Sequence, residues 1–393
     1  MPDGVISMNV EKLRQDFPVL QKHVYLDSAC MSLKPRQVVE AMNRYFLEFP
    51  SCGERSSHKL GKMVTEETEK AREKTAKFIN AKDDEIIFTK NTTEGLNLAA
   101  NSLGLREEDV VITSDKEHNS NFLPWRRFDH KIVATKNGEL DLKDLESKIS
   151  KNVKVVAMQQ TSNIDGMTFP IKDISKICHD NGSLLVVDGA QSVPHKETDV
   201  KKLGCDVLAF SGHKMLGPSI GCVYIKKELS EKMKPFMVGG GTVANVTGGT
   251  PHFLKPPHMF EAGLQDYAGI IGLGAAVDYL GKVGLKNIEK HETMLNKAMT
   301  EGIEGVKNAS ILGGSAEERG GILSISIKGM KSTEAAIMLD SHGVLVRGGH
   351  HCCHNWFNTN GIGGSVRASL YLYNNEGDAE AFAKAVKKIA AMT

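Results

Sequence analysis

The sequence predicts an α/β protein: a mostly parallel sheet flanked by helices, with a smaller α+β C-terminal domain. Three observations carry that prediction. Short runs rich in Val, Ile and Leu alternate with helix-period stretches over the first two thirds of the chain, the pattern of strands covered on both faces. Two of these runs end in ionisable residues, Asp188 after Leu184-Leu185-Val186-Val187 and Lys214 after Phe210-Ser211-Gly212-His213. The chain also has 393 residues, enough for a large domain with a second one appended.

Taken in order, residues 35–49 place apolar side chains at helical spacing, and 64–79 read as a long charged helix. Strands are expected at 86–89, 110–113, 131–134, 153–158, 183–187, 207–210 and 222–225, each short and rich in β-branched or apolar residues. Residues 16–263 make up the expected large domain. Two helical stretches, 267–283 and 285–304, lead to a strand at 321–327 and helices near 333–341 and 379–391. Residues 264–393, packed with residues 1–15, make up the expected smaller domain.

Lys and Arg number 49 against 48 Asp and Glu, a formal charge of +1, so no global field favours nucleic acid or an anionic membrane. Recognition must be local. Residues 1–20 lack the apolar core of a signal peptide, and no apolar run approaches a bilayer-spanning length. Seven cysteines without a paired C-x-x-C spacing fit a reducing compartment. The expectation is a soluble cytoplasmic protein without nucleic-acid or membrane partners.

An Asp and a Lys at the carboxyl ends of neighbouring strands suit a pyridoxal phosphate (PLP) site. The amine of Lys214 can condense with the aldehyde, and the carboxylate of Asp188 can keep the pyridine nitrogen protonated. Each half alone also fits a blander reading, Asp188 as a helix cap and Gly212-His213-Lys214 as a polar turn. Asn91-Thr92-Thr93-Glu94-Gly95 follows a strand and opens a helix, which offers hydroxyls and free N–H groups to a phosphate or supplies a plain Thr cap.

Asp188-Gly189-Ala190-Gln191 followed by Phe210-Ser211-Gly212-His213-Lys214 resembles the class V aminotransferase group of fold type I PLP enzymes, most closely its cysteine desulfurases. Arg347-Gly348-Gly349-His350-His351-Cys352-Cys353 is similar to the Arg-x-Gly-His-His-Cys signature of the group II, or Suf-type, desulfurases and the related selenocysteine lyases. The similarity runs from Tyr25-Leu26-Asp27-Ser28-Ala29 to Arg367-Ala368-Ser369.

This resemblance implies PLP as cofactor, L-cysteine as substrate and a homodimer that passes sulfur to an acceptor or scaffold protein, with iron–sulfur cluster assembly as one outlet. It implies that Thr92, Thr93, Ser211 and His213 hold the phosphate, that His118 lies over the ring and shuttles a proton near neutral pH, and that Gln191 and Asn163 bond the ring's phenolic oxygen. Lys214 is then the cofactor-linked base and Asp188 its ring partner. Arg367 binds the substrate carboxylate with Asn163 and Arg347 nearby, and Cys352 is the nucleophile that carries a persulfide. Selenocysteine lyase, aminotransferase or epimerase activity is the alternative within the family, and a catalytically silent binding protein the alternative outside it.

Several readings stay open. Cys353 is a second candidate thiol, or a resolving partner for Cys352. His350, His351, Cys352, Cys353 and His354 have the side chains of a metal site, but adjacent loop residues rarely close on one ion, and no metal is expected. Glu54-Arg55-Ser56-Ser57-His58 resembles a segment that reaches a partner's active site, with Glu54 where the family often has His. Phe260-Glu261-Ala262-Gly263-Leu264 departs from the family's Phe-Glu-Ala-Gly-Thr, whose Thr reaches the phosphate bound in the other subunit. Either residues 239–242, which end in Thr242, complete the phosphate site, or the cofactor is held less tightly.

Overall fold

A computed structural model describes residues 8–393, so the expectation for residues 1–7 lies outside the described residues. The main sheet contains β1 (Ile86–Thr89), β2 (Val110–Ser114), β3 (Asp129–Val133), β4 (Val153–Gln159), β5 (Leu184–Asp188), β6 (Val207–Ser211) and β7 (Gly221–Ile225). Their order is β1-β7-β6-β5-β4-β2-β3. β7 is antiparallel to both neighbours, and the other six strands share one direction. Leu185 and Val187 of β5 enter one core cluster and Val186 the opposite one, and Leu208/Phe210 and Val207/Ala209 of β6 divide in the same way. Both faces are therefore covered, which is why these strands read as unbroken apolar runs.

Helices α1 (Arg36–Glu48), α2 (Lys59–Phe78), α3 (Thr92–Ser102) and α4 (Ile171–Asp180) flank this sheet. α3 presents Leu96 and Ala99 to the second face. Helix α5 (Tyr267–Val283), expected with the smaller domain, lies against α1 and α2, with Ile270, Leu273 and Leu280 in the core of the first face. Close approach explains the correction: a Cβ on Gly272 would lie 2.7 Å from Met42 Cγ, and one on Gly274 2.9 Å from Ala71 Cβ. No single helix among the described residues is long and apolar enough to cross a membrane.

A two-stranded hairpin, β8 (Val243–Thr247) and β9 (Thr250–Phe253), projects with nearly every residue exposed. The second sheet holds β10 (Ala309–Leu312), β11 (Ile322–Ile327), β12 (Arg347–Gly349) and β13 (Ser365–Ser369) in the order β10-β11-β13-β12, antiparallel throughout. It packs with α6 (Leu285–Ile303), α7 (Ser332–Ser341) and α8 (Glu376–Ala390) around Leu295, Ile325, Leu339, Val366 and Phe382. Val24–Tyr25 pairs in parallel with Val344–Leu345, and Leu26 joins this second core. Residues 24–26 thus lie with the smaller unit, inside the range expected for the larger one.

One buried ion pair ties the chain after the hairpin to the main sheet. Arg72 of α2 meets Glu261 with two N–H···O bonds of 2.8 and 2.9 Å, Glu261 also accepts from Phe88 N at 2.7 Å, and Arg72 donates to Ile86 O at 2.8 Å. Removing Glu261 leaves the buried Arg72 with only the partly exposed Glu69, 3.2 Å from its Nε, as an ionic partner. Glu261→Ala is expected to cost about 3–5 kcal/mol, whereas Lys74→Ala, which breaks the exposed 2.7 Å pair with Asp278, should cost less than about 1 kcal/mol. Urea and thermal unfolding of the two variants measure the difference.

Candidate active site

The sheet delivers its polar residues at one edge. β5 ends in Asp188 and β6 in Ser211, and one helical turn, Gly212–Lys214, follows directly and carries Lys214. These carboxyl ends open on a cavity of about 210 Å³, room for a small ligand and far short of a macromolecular groove. Asp188, Gln191, Ser211, His213 and Lys214 line it from this edge. Thr92 and Thr93 reach it from the start of α3, His118 from the loop after β2 and Asn163 from the loop after β4. Arg347 and Arg367 enter from β12 and β13 of the smaller unit. Of the expected site residues, Cys352 lies off the wall, half-buried beside the wall residue His351.

The start of α3 is capped by Asn91, whose Oδ1 accepts from Glu94 N at 3.0 Å. Thr92 and Thr93 are therefore not the cap. Thr92 N donates to Ser211 Oγ at 2.8 Å, and Thr93 Oγ1 lies 2.7 Å from Ser120 Oγ. Hydroxyls and the positive end of a helix meet here, as an anion requires. Four buried polar atoms on the wall lack a protein partner: Gln191 Oε1, His213 Nδ1, His351 Nδ1 and Arg367 Nε. Leu264 is 67% exposed and off the cavity wall. Thr242 is buried and donates to Gly239 O at 2.8 Å, so its hydroxyl serves its own turn.

Burial governs the charges. It raises the pKa of Asp188 while Lys214 and the Ala190 N–H, 2.9 Å from Oδ1, pull it down. It lowers the pKa of Lys214, and Asp188 opposes that. His118 is expected to titrate near neutrality, but burial, then Lys214, Arg367 and Arg347, press its pKa down to about 3. Its Nδ1 accepts from Ser120 N at 3.1 Å. The imidazole is thus neutral across the physiological range.

Arg347 and Arg367 face each other as register partners on β12 and β13. Arg367 donates to Asn163 O at 3.0 Å and to Asp27 Oδ1 at 3.2 Å, and Arg347 donates to Cys30 Sγ at 2.9 Å. Two guanidinium groups on one wall form an anion site.

The loop after β12 uses backbone conformations that suit few side chains, with φ of +48° at His351 and +61° at Cys352. Cys352 O accepts from Asn119 N at 2.7 Å. Cys353 is fully buried, donates to Asn163 Oδ1 at 3.1 Å, and has its thiol pKa pushed up to about 12 by burial. His351 bonds Ser365 at 2.9 Å and His350 stacks on Phe357, so the neighbouring side chains turn to separate partners. Cys30 and Gln159 also line the cavity, and sequence reasoning passed over both. Cys30 had one signal, its place directly after Asp27-Ser28-Ala29.

The aminotransferase class-V family profile matches residues 24–382. A probable cysteine desulfurase of Pyrococcus abyssi is 40% identical over 385 residues, covering 95% of each chain. The cysteine desulfurase of Wigglesworthia glossinidia brevipalpis is 37% identical and covers 97% of each. Among solved structures, the apo cysteine desulfurase of Thermococcus onnurineus NA1 superposes with a TM-score of 0.94 at 38% identity, covering 98% of both chains. The cysteine desulfurase CsdA of Escherichia coli does so with a TM-score of 0.90 at 31% identity, over 98% of this chain and 99% of that one. With its two-unit architecture and its strand-end cavity, the chain belongs to the aminotransferase class-V family, among the cysteine desulfurases.

Proposed function

We propose that this protein is a PLP-dependent cysteine desulfurase that converts L-cysteine and the thiol of Cys352 to L-alanine and a Cys352 persulfide. The observation that carries this is the single cavity where Lys214, Asp188 and Arg367 meet beside the Cys352 loop. The residues fit the cofactor. Thr92, Thr93, Ser211 and His213 would hold its phosphate, His213 with an unpaired ring nitrogen, and Gln191 and Asn163 would meet its phenolic oxygen. When bound there, PLP supplies an electron sink for the substrate's Cα.

The protein's own residues do the rest. Arg367 takes the substrate carboxylate through parallel N–H···O bonds, with Arg347 adding a second positive charge. Burial favours the neutral amine of Lys214, which can then accept the Cα proton and return one. Asp188, buried at the cavity floor, is the counter-charge for a protonated ring nitrogen. His118 packs as a neutral imidazole, so it orients and donates rather than titrating at pH 7. The Cys352 thiolate attacks the substrate sulfur: an S–S bond forms, the substrate C–S bond breaks, and its Cβ gains a proton. Cys353 is kept protonated by burial, which supports Cys352 as the acceptor. Sulfur then passes to an acceptor or scaffold protein in the cytoplasm, with iron–sulfur cluster assembly as one use.

A second copy of the chain completes this proposal. Phe236, Met237, Val238, Val246, Phe253 and Leu264 are exposed on and around the hairpin, an apolar concentration that monomers seldom leave in water. Light scattering should therefore give twice the chain mass.

Alanine formation from L-cysteine with a thiol reductant, compared with selenocysteine and with keto-acid production, tests the reaction. Wild-type enzyme should form alanine and no keto acid. Cys352→Ala should keep the spectrum of bound PLP and lose sustained sulfide release by on the order of a hundredfold or more; full sustained activity would overturn the assignment. A pH effect follows from the buried imidazoles. His118 and His213 have folded pKa values of about 3 and about 4, below the ordinary 6.5. Their unfolded forms bind protons first, so their stabilisation is complete above pH 6.5 and is lost as pH falls towards 3. Urea midpoints of the cofactor-free protein should fall over that window, and His118→Gln should flatten the slope.

A further inference from the structure

Cys30 does not belong to any motif that suggested the reaction, yet its thiol stands on the cavity wall while Cys352 does not. Its position is fixed from several sides. Cys30 N donates to Asp27 O at 3.1 Å, and the preceding Ala29 donates to Ser369 Oγ at 2.9 Å and accepts from Gln191 Nε2 at 2.7 Å. Arg347 Nη1 donates to Cys30 Sγ at 2.9 Å. Burial works against the charge on Arg347, but the adjacent Cys30, Asp27 and Cys352 outweigh it and leave its pKa above the usual value. One guanidinium therefore lies within electrostatic reach of both thiols. The same wall carries unpartnered buried atoms, Arg367 Nε and Gln191 Oε1, which mark a ligand position beside Cys30.

We propose that Cys30 is a second sulfur-accepting thiol of this active site, in exchange with Cys352 across Arg347. The inference rests on the desulfurase reading above and extends it to a residue on the cavity wall. Thiolates rather than thiols attack sulfur, and Arg347 Nη1, 2.9 Å from Cys30 Sγ, holds that sulfur in place on the wall. In the first step, L-cysteine and the Cys30 thiol give L-alanine and a Cys30 persulfide; the substrate C–S bond breaks, an S–S bond forms and the carbon gains a proton. In the second, the Cys352 sulfur attacks the outer sulfur of that persulfide. A new S–S bond forms to Cys352, the bond to Cys30 Sγ breaks, and Cys30 recovers the proton as a thiol. Neither step calls for an external oxidant or reductant. Cys30, anchored inside, would receive sulfur close to the substrate, and Cys352, on its loop, would carry it outward.

The test uses the PLP-loaded enzyme without added reductant, with alanine counted per site and sulfur located by peptide mass. Cys352→Ala should release about one alanine per site and then stop, with one extra sulfur atom on the peptide containing Cys30. The double variant Cys30→Ala/Cys352→Ala should give no burst. A burst-free Cys352→Ala, beside a wild type that carries sulfur on Cys352 alone, would overturn the proposal and leave the desulfurase reading intact. A wild type forming neither alanine nor a persulfide would instead sink that underlying reading. A second measurement is independent of turnover and of the fold of the Cys352 variant. In the cofactor-free wild type at pH 7, iodoacetamide should alkylate Cys30 well ahead of the buried Cys178 and Cys205. Labelling of Cys30 no faster than of the buried pair would also reject the role.

Discussion

Everything in this active site answers to one constraint, the cost of holding Lys214, Asp188 and Arg367 together out of water. A charge taken from water into a protein interior loses several kcal/mol of hydration unless partners replace it (roughly that size per ion). Here the replacement is deliberately incomplete. Asp188 receives one backbone N–H and the field of Lys214, and Arg367 keeps two of its nitrogens occupied and one free. A surface that remains hungry for an anion, a ring nitrogen and a carboxylate is one that binds a charged small molecule tightly, because the ligand supplies what folding left out.

The scaffold makes that arrangement affordable by dividing it between two rigid units. The main sheet, apolar on both faces, exposes polar groups at its carboxyl edge and so provides the acid, the amine and the hydroxyl cradle. The two guanidinium groups come from the other sheet, where the antiparallel register sets Arg347 opposite Arg367. Like charges at such a pair repel, and Asp27, in the segment after Val24–Tyr25, offsets them through its bond of 3.2 Å to Arg367. Val24 and Leu26 pack in the second core and Val24–Tyr25 pairs with Val344–Leu345, so the acid and both arginines are carried by the same unit.

The parts legible in the sequence were those where chemistry and local pattern coincide. Asp188 stood out because it closes an apolar strand and Lys214 because it follows one within three residues, and Thr92 and Thr93 because they follow one and open a helix. Helix α5 was assigned to the wrong unit because it is apolar nearly all round, which announces burial but not the neighbour, and the glycines that decide it matter only once α1 and α2 are in place. β12 was missed because it is three residues long and two of them are glycine, and β13 because its alternation, Ser365-Val366-Arg367-Ala368-Ser369, rests on only two apolar residues. The protonation of His118 was out of reach for a different reason: it depends on burial first and then on Lys214, Arg367 and Arg347, all brought about by distant points in the chain.

The two adjacent cysteines show how far backbone geometry can separate identical side chains. Successive strand or loop residues point to opposite sides, and here one step along the chain carries the thiol from a half-exposed turn into a closed pocket. Cys353 is locked by Asn163 and the apolar Ile164 and Phe357, and its thiol has lost the solvation that a thiolate needs. Cys352 has none of those contacts. Its left-handed conformation, and that of His351 before it, cost about 1–3 kcal/mol each for non-glycine residues, and the hydrogen bonds from Asn119 to Cys352 O and from Asn163 to His351 O hold the strained turn in place. Asn163 therefore acts on both thiols, shutting one away through its side-chain oxygen and presenting the other through its side-chain nitrogen. A residue expected to serve the cofactor is in this way also bonded to Cys353 and to the turn that carries Cys352.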